Sequence, residues 1–187
     1  GLPKVTNTHS KDFFKIVEKN ADDLPVWDGE MYYENHRGTY TSQAFIKKNN
    51  RRGEFDLRNC EMLGLLSETY SPEKLEDAWK MLLINQFHDI LPGTSIHEAM
   101  ENTREEYKVL RGKIEALKKE AYDVLNQKLG KDSTIIVYNL LNWNVTNTVK
   151  AEIPFENAVI TDMTGKVMNS TVKAENGRFT AEFVAED

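Results

Sequence analysis

Apolar residues at Leu75, Ala78, Trp79, Leu82, Leu83 and Phe87 recur on one face of a helix with a period of about 3.6 residues. Ser71-Pro72-Glu73 predicts where that helix begins, with a serine able to cap, a proline at the first helical position and an acid where the helix dipole favours one. Pro92-Gly93 predicts its end, and Ser95 with Glu98 three residues on predicts a capping box for the next helix. There Ile96, Met100, Thr103, Tyr107, Leu110, Ile114, Leu117, Ala121 and Val124 alternate spacings of four and three, the stripe of a long amphipathic helix packed on partners. Arg104, Glu105, Glu106, Lys108, Lys118 and Lys119 are expected on its solvated face. Upstream, residues 39–67 favour a helix, with Tyr40, Ala44 and Ile46 early and Cys60, Leu63 and Leu66 late. Its middle, Asn49-Asn50-Arg51-Arg52-Gly53, predicts an irregularity, because glycine costs about 1 kcal/mol against alanine inside a helix.

Three helices joined by short connections predict an antiparallel three-helix bundle over residues 39–130. Before it, residues 1–38 combine a short helix carrying Phe13, Phe14, Ile16 and Val17 with an extended aromatic stretch, and Met31, Tyr32 and Tyr33 suggest a short strand. That much apolar surface on so short a segment reads as the end of a larger domain. After Gly130 the pattern becomes that of strands: Ile135-Ile136-Val137-Tyr138, alternating Val149, Ala151 and Ile153, and the hairpin signal Asn176-Gly177 before Phe179, Ala181 and Phe183. Residues 131–187 are expected to open an antiparallel β domain that the chain leaves unfinished. The expected fold class is mainly α with a β tail.

With 187 residues, 40% of them hydrophobic, the chain is long enough to bury a core. Its net charge of -6 argues against nucleic acid or an anionic membrane as partner, since both attract a lysine and arginine excess. Cys60 is the single cysteine, read as a small buried hydrophobe in a reducing compartment. No apolar run approaches the roughly 20 residues of a membrane span, and no basic-then-apolar leader is visible. Asn144-Val145-Thr146 and Asn169-Ser170-Thr171 match the glycosylation acceptor pattern, which is too short to carry weight alone.

Four histidines carry the candidate chemistry. His97 falls in the first turn of a helix and His9 in an N-terminal segment without acidic or histidine neighbours at ligand spacing, and both read as incidental. His36 sits in the polar and aromatic cluster Glu34-Asn35-His36-Arg37-Gly38-Thr39-Tyr40. His88-Asp89 is the strongest pair, because imidazole nitrogen is the commonest ligand for zinc-like ions and the adjacent carboxylate can act as ligand, as support or as acceptor for a sugar hydroxyl. Two residues do not complete a four-coordinate site, and no HExxH, CxxC or His-x-His occurs. Ser95 reads as a cap, and no nucleophile and base or glycine-rich phosphate loop can be argued.

Asn85-Gln86-Phe87-His88-Asp89-Ile90-Leu91-Pro92-Gly93-Thr94-Ser95-Ile96, preceded by Trp79-Lys80-Met81-Leu82-Leu83, resembles the middle-domain signature of glycoside hydrolase family 38, the class II α-mannosidases. Glu34-Asn35-His36-Arg37-Gly38-Thr39-Tyr40-Thr41-Ser42-Gln43 is similar to that family's junction between catalytic barrel and helical bundle, and Tyr138-Asn139-Leu140-Leu141-Asn142-Trp143 resembles the opening of its C-terminal β domain. The resemblance implies an internal stretch of a longer enzyme: the tail of the β/α catalytic domain over 1–38, the bundle over 39–130 and the start of a β-sandwich over 131–187. It implies that His88 is one ligand of a divalent metal, usually zinc, and that Asp89 hydrogen-bonds hydroxyls of bound mannose, with His36 bordering the sugar pocket. The remaining metal ligands, the nucleophile and the acid/base residue are implied to lie upstream of Gly1, so the fragment alone is expected to be inactive. The implied reaction is retaining hydrolysis of terminal α-linked mannose from oligosaccharides.

The resemblance to the non-secretory branch, with the single cysteine, makes a cytoplasmic location the expectation, and a homo-oligomer stays open. A second reading is a helical interaction or scaffolding module in which His88-Asp89 merely closes a turn. A third is a self-contained metal site using His36 and His88.

Overall fold

A computed structural model describes residues 1–31, 33–130 and 133–186, with Asn35 and Glu175 described by their backbones alone. The chain divides into two compact units, residues 1–38 and 39–187. The first holds α1 (Ser10–Glu18) and a single 3-10 turn at Glu34–His36. Met31 and Tyr33 lie in no strand, and the Tyr32 of the expected strand lies outside the described residues.

The second unit is built on α2 (Ala44–Ser67), α3 (Pro72–Ile84) and α4 (His97–Leu129). Their buried faces share one core that includes Ile46, Leu57, Leu75, Leu82, Met100 and Leu110. Polar pairs between the helices fix their directions. Asp56 meets Lys118 at 2.6 Å and Glu68 meets Lys128 at 2.9 Å, so α2 and α4 run parallel. Lys74 meets Glu120 at 3.0 Å, and the Trp79 indole donates to Glu61 at 2.8 Å, so α3 runs against both. The arrangement is up, down, up. No helix among the described residues is long and apolar enough to cross a membrane.

The α4 stripe is buried at Met100, Thr103, Tyr107, Leu110, Ile114 and Ala121, but the next buried position is Leu125 rather than Val124. An α-helix of 3.6 residues per turn drifts relative to a 3.5-residue stripe, and a four-residue step corrects the drift. The expected capping box is not formed: Ile96 is the N-cap, and Ser95 uses its hydroxyl elsewhere. Three of the six charged residues expected on the solvated face reach partners outside α4. Lys118 is 19% exposed against Asp56, the Arg104 guanidinium lies 3.7 Å from the Phe45 ring centroid, and Glu106 accepts from Asn85.

Gly53 interrupts nothing. α2 is continuous from Ala44 to Ser67, and a Cβ at Gly53 would lie 2.8 Å from Leu82 Cδ1, so the glycine lets α3 approach α2. α2 starts at Ala44 rather than near residue 39, after Gln43 takes a left-handed conformation (φ 50°). α3 ends at Ile84, well short of Pro92-Gly93. Cys60 is buried as expected, and burial first, with nearby carboxylates, pushes its thiol up to about 11. Such a thiol is inert.

Residues 135–140 form no strand. Tyr138 and Leu140 pack on Leu63, Ala121 and Leu125 at the other end of the bundle, and Arg58 donates to the Leu140 carbonyl at 3.3 Å. β1 (Asn147–Ile153), β2 (Ser170–Glu175) and β3 (Arg178–Ala185) then make an antiparallel sheet in the order β1-β3-β2. Ala151 and Val172 face Ala181 from either side, which sets the apolar alternation of both edge strands on one face. Asn176 (φ 53°) and Gly177 (φ 77°) turn β2 into β3 with the two positive φ angles that a two-residue hairpin requires.

Two outcomes follow. Gly53→Ala should destabilise the chain by up to about 2 kcal/mol in urea unfolding, because the cost of about 1–3 kcal/mol of crowding the fully buried Leu82 outweighs the roughly 1 kcal/mol gained in helix propensity. Burial tends to lower the Lys118 pKa, but the hydrogen bond and charge of Asp56 outweigh it, and the net shift is upward from 10.5. Its contribution is therefore fully present below 10.5 and lost as pH rises through the raised value. Asp56→Asn should lower stability at pH 8 and flatten its alkaline decline, measured by thermal unfolding across pH 8–12.

Candidate functional site

Residues 85–96 connect α3 to α4, and side chains from α2 and α4 determine their course. The connection opens with two amides. Asn85, 1% exposed, caps α3 with a bond from its side-chain nitrogen to the Met81 carbonyl (2.9 Å), and the same nitrogen donates to Glu106 of α4 (2.8 Å). Gln86 turns the other way and donates to Asn50 (3.0 Å) and Glu54 (3.2 Å) of α2, and Asn50 in turn donates to Glu54 (3.0 Å).

Backbone bonds from Ile90 and Leu91 to the Phe87 carbonyl and from Gly93 to the Ile90 carbonyl then coil the chain tightly. Ile90 and Leu91 pack on the bundle core. Gly93 holds φ 79°, and a Cβ there would sit 2.9 Å from the Ser42 carbonyl oxygen, so no other residue fits without strain. Lys47 of α2 donates to the Pro92 carbonyl (3.0 Å) and to that of Ser42, tying the two segments together, and burial lowers its pKa. At the far end the Ser95 hydroxyl (2.7 Å) and the Thr94 amide (3.1 Å) both donate to the Asp89 carbonyl. That contact claims the hydroxyl expected to cap α4.

On this fixed backbone His88 and Asp89 project outward. The His88 side chain is 75% exposed and that of Asp89 49%, with Nε2 3.2 Å from Oδ2. The His88 ring lies 4.2 Å from that of Phe87. Phe87, Ile84 and Ile96 around the turn are also exposed. An accessible imidazole and carboxylate side by side are ligand types for a divalent cation, and a carboxylate is an acceptor for sugar hydroxyls. They fit a metal as part of a donor set. No group of three histidine, cysteine, aspartate or glutamate side chains is gathered for a metal among the described residues.

His36 ends the 3-10 turn of the first unit, its ring 5.4 Å from Tyr33. His97 is the exposed first residue of α4, and His9 precedes α1. Beside the turn a groove of about 400 Å³ is lined by Tyr40, Lys47, Asn50, Arg51, Glu54 and Pro92 among others. A larger one, about 600 Å³, lies between the far end of the bundle and the sheet, lined by Phe55, Arg58, Tyr122 and Tyr138 among others, without a histidine. Sequence reasoning named the turn but not Lys47, Asn50, Glu54 and Glu106, which hold it. Only the paired amides Asn85-Gln86 hinted that polar partners were needed there.

Residues 34–125 match the family model of the α-mannosidase middle domain. The chain is 42% identical over 106 residues to Alpha-mannosidase G of Dictyostelium discoideum, covering 54% of this chain and 10% of that protein. It is 32% identical over 149 residues to the human Alpha-mannosidase 2C1, covering 76% of this chain and 14% of that protein. It therefore spans about a seventh or less of the length of these relatives. Among solved structures, an α-mannosidase from Enterococcus faecalis V583 superposes with a TM-score of 0.59 at 19% identity, over 94% of this chain and 26% of the other, a likeness of fold. A glycosyl hydrolase family 38 protein from Enterococcus faecalis does so with a TM-score of 0.55 at 18% identity, over 95% of this chain and 26% of that one. The turn that presents His88 and Asp89 thus lies within an α-mannosidase middle domain, and the chain belongs to glycoside hydrolase family 38.

Proposed function

We propose that this chain supplies half of the sugar site of a metal-dependent α-mannosidase that removes terminal α-linked mannose from oligosaccharides. The supporting observation is that the chain's middle-domain match contains an exposed His88-Asp89 pair on a turn braced from two helices. In this reading His88 is one ligand of a divalent metal, zinc in the first instance, and Asp89 accepts hydrogen bonds from mannose hydroxyls. His36 is assigned to sugar binding through its place in the motif. When bound, the metal would grip sugar hydroxyls and favour a distorted ring.

The reaction is proposed as retaining hydrolysis, with both carboxylates contributed by the catalytic domain of the longer protein. The contribution of this chain is to hold two groups still. A side chain placed within a fraction of an ångström by its support loses little binding energy to ordering. The exposed Ile84, Phe87 and Ile96 beside the pair suit a surface covered by that catalytic domain. The single cysteine, a buried and inert thiol, and the resemblance to the non-secretory branch support a cytoplasmic home.

In the full-length protein His88→Ala should lower the bound zinc per subunit and cut turnover of an aryl α-mannoside by more than about 100-fold, beyond the 10–100-fold typical of an outer-shell change. Its melting temperature without metal should be unchanged, because the side chain is exposed. Unaltered zinc content in that variant would refute the ligand assignment. The isolated 187-residue chain should hydrolyse no aryl α-mannoside above the buffer rate, and enzyme-like turnover by it would overturn the half-site reading.

A further inference from the structure

We infer that Glu54 of α2 and Glu106 of α4 are positioning residues for His88, acting through the two amides that open its turn. This rests on the reading of His88 as a metal ligand. The charged neighbour of the His88 side chain among the described residues is Asp89, which belongs to the same turn, so the aim of the imidazole is set by the backbone that carries it. That backbone leaves α3 through Asn85 and Gln86, and each amide is held by an acid from a different helix: Asn85 by Glu106 at 2.8 Å and Gln86 by Glu54 at 3.2 Å. Two anchors on consecutive residues, pulling toward two helices, fix direction as well as position.

Asn50 closes the α2 side by bonding both Gln86 and Glu54. The two acids also bear on one buried phenol. Bonded to consecutive residues, both carboxylates sit at the same end of the bundle, and burial first, then their charges, push the Tyr107 hydroxyl up to about 12. What holds each amide is an oxygen that accepts from its N–H, a part that a carbonyl in the same place can also play. In an apolar surround the same turn would lack a preferred exit angle from α3.

The test uses the full-length enzyme. Glu106→Ala and Glu54→Ala should each weaken Zn²⁺ binding, measured by chelator competition, by about 10–100-fold. Glu106→Gln and Glu54→Gln keep a carbonyl acceptor in place and should restore the affinity to within about threefold of the parent. Glu105→Ala, on the solvated face of α4 beside Lys108, should leave it unchanged. Gln86→Ala removes the α2 anchor from the turn side and should reproduce the Glu54→Ala loss even if an acid-to-alanine variant fails to fold. Alanine variants that melt earlier but keep the parental Zn²⁺ affinity would show the acids to be structural only and overturn the inference. His88→Ala separates the two levels: if it retains zinc, the ligand reading itself falls, whereas loss of zinc there with unaltered Glu54 and Glu106 variants defeats the positioning role alone.

Discussion

Two neighbouring amides, each bonded to an acid on a different helix, are the interaction on which the arrangement of this chain's second unit turns. Asn85 reaches Glu106 and Gln86 reaches Glu54, so the end of α3 is fastened to α4 and α2 at once. A helix end leaves carbonyl groups without partners, and Asn85 answers that need by folding its side chain back to Met81. Once α3 is stopped there, the following residues cannot continue along the bundle. They coil through 87–93, return past Gly93 and Lys47, and enter α4 after Ser95 has closed on Asp89. Exposed polar groups on a connection between helices would ordinarily be mobile. Here the connection is bonded at its start, middle and end, and the exposed pair His88-Asp89 inherits that order.

The bundle beneath is shaped to allow this. α3 has 13 residues against 24 in α2 and 33 in α4, so it covers only part of either neighbour. It lies close because Gly53 presents no side chain to Leu82. The parallel pair α2 and α4 is joined by Asp56-Lys118 and Glu68-Lys128. The exposed Glu68-Lys128 pair adds little stability, the part-buried Asp56-Lys118 pair adds more, and the apolar core supplies the larger part. Their value is in register: they hold Glu54 and Glu106 level with the end of α3.

Much of this was legible in the sequence wherever a signal is local and periodic. The Ser71-Pro72 start, the α4 stripe as far as Ala121 and the Asn176-Gly177 hairpin all depend on residues within a few positions of one another. Readings failed where a residue's role lies against another element. Gly53 looked like a helix defect because its partner, Leu82, is 29 positions away. Ser95 looked like a cap, but the Asp89 carbonyl competed for its hydroxyl and won. Residues 135–138 are apolar enough for a strand, yet the bundle offers Tyr138 a surface and no strand among the described residues pairs with them. The site was half visible for the same reason. The His88-Asp89 pair is read from the motif, and the acids that hold its turn lie 21 and 32 positions from the amides they bond, where no spacing rule applies.

The shortness of α3 has a consequence for motion. Proteins open in pieces, and the piece with the least buried surface opens at the lowest free energy. Among the three helices of this unit that piece is α3, whose buried residues are Leu75, Ala78 and Leu82. Because Asn85 and Gln86 release both acids when α3 lifts, a partial opening that left α2 and α4 paired would already dismantle the geometry at His88. Slow amide hydrogen exchange along α3 would thus be a gauge of how well the turn that carries His88 and Asp89 is formed, even though neither residue belongs to that helix.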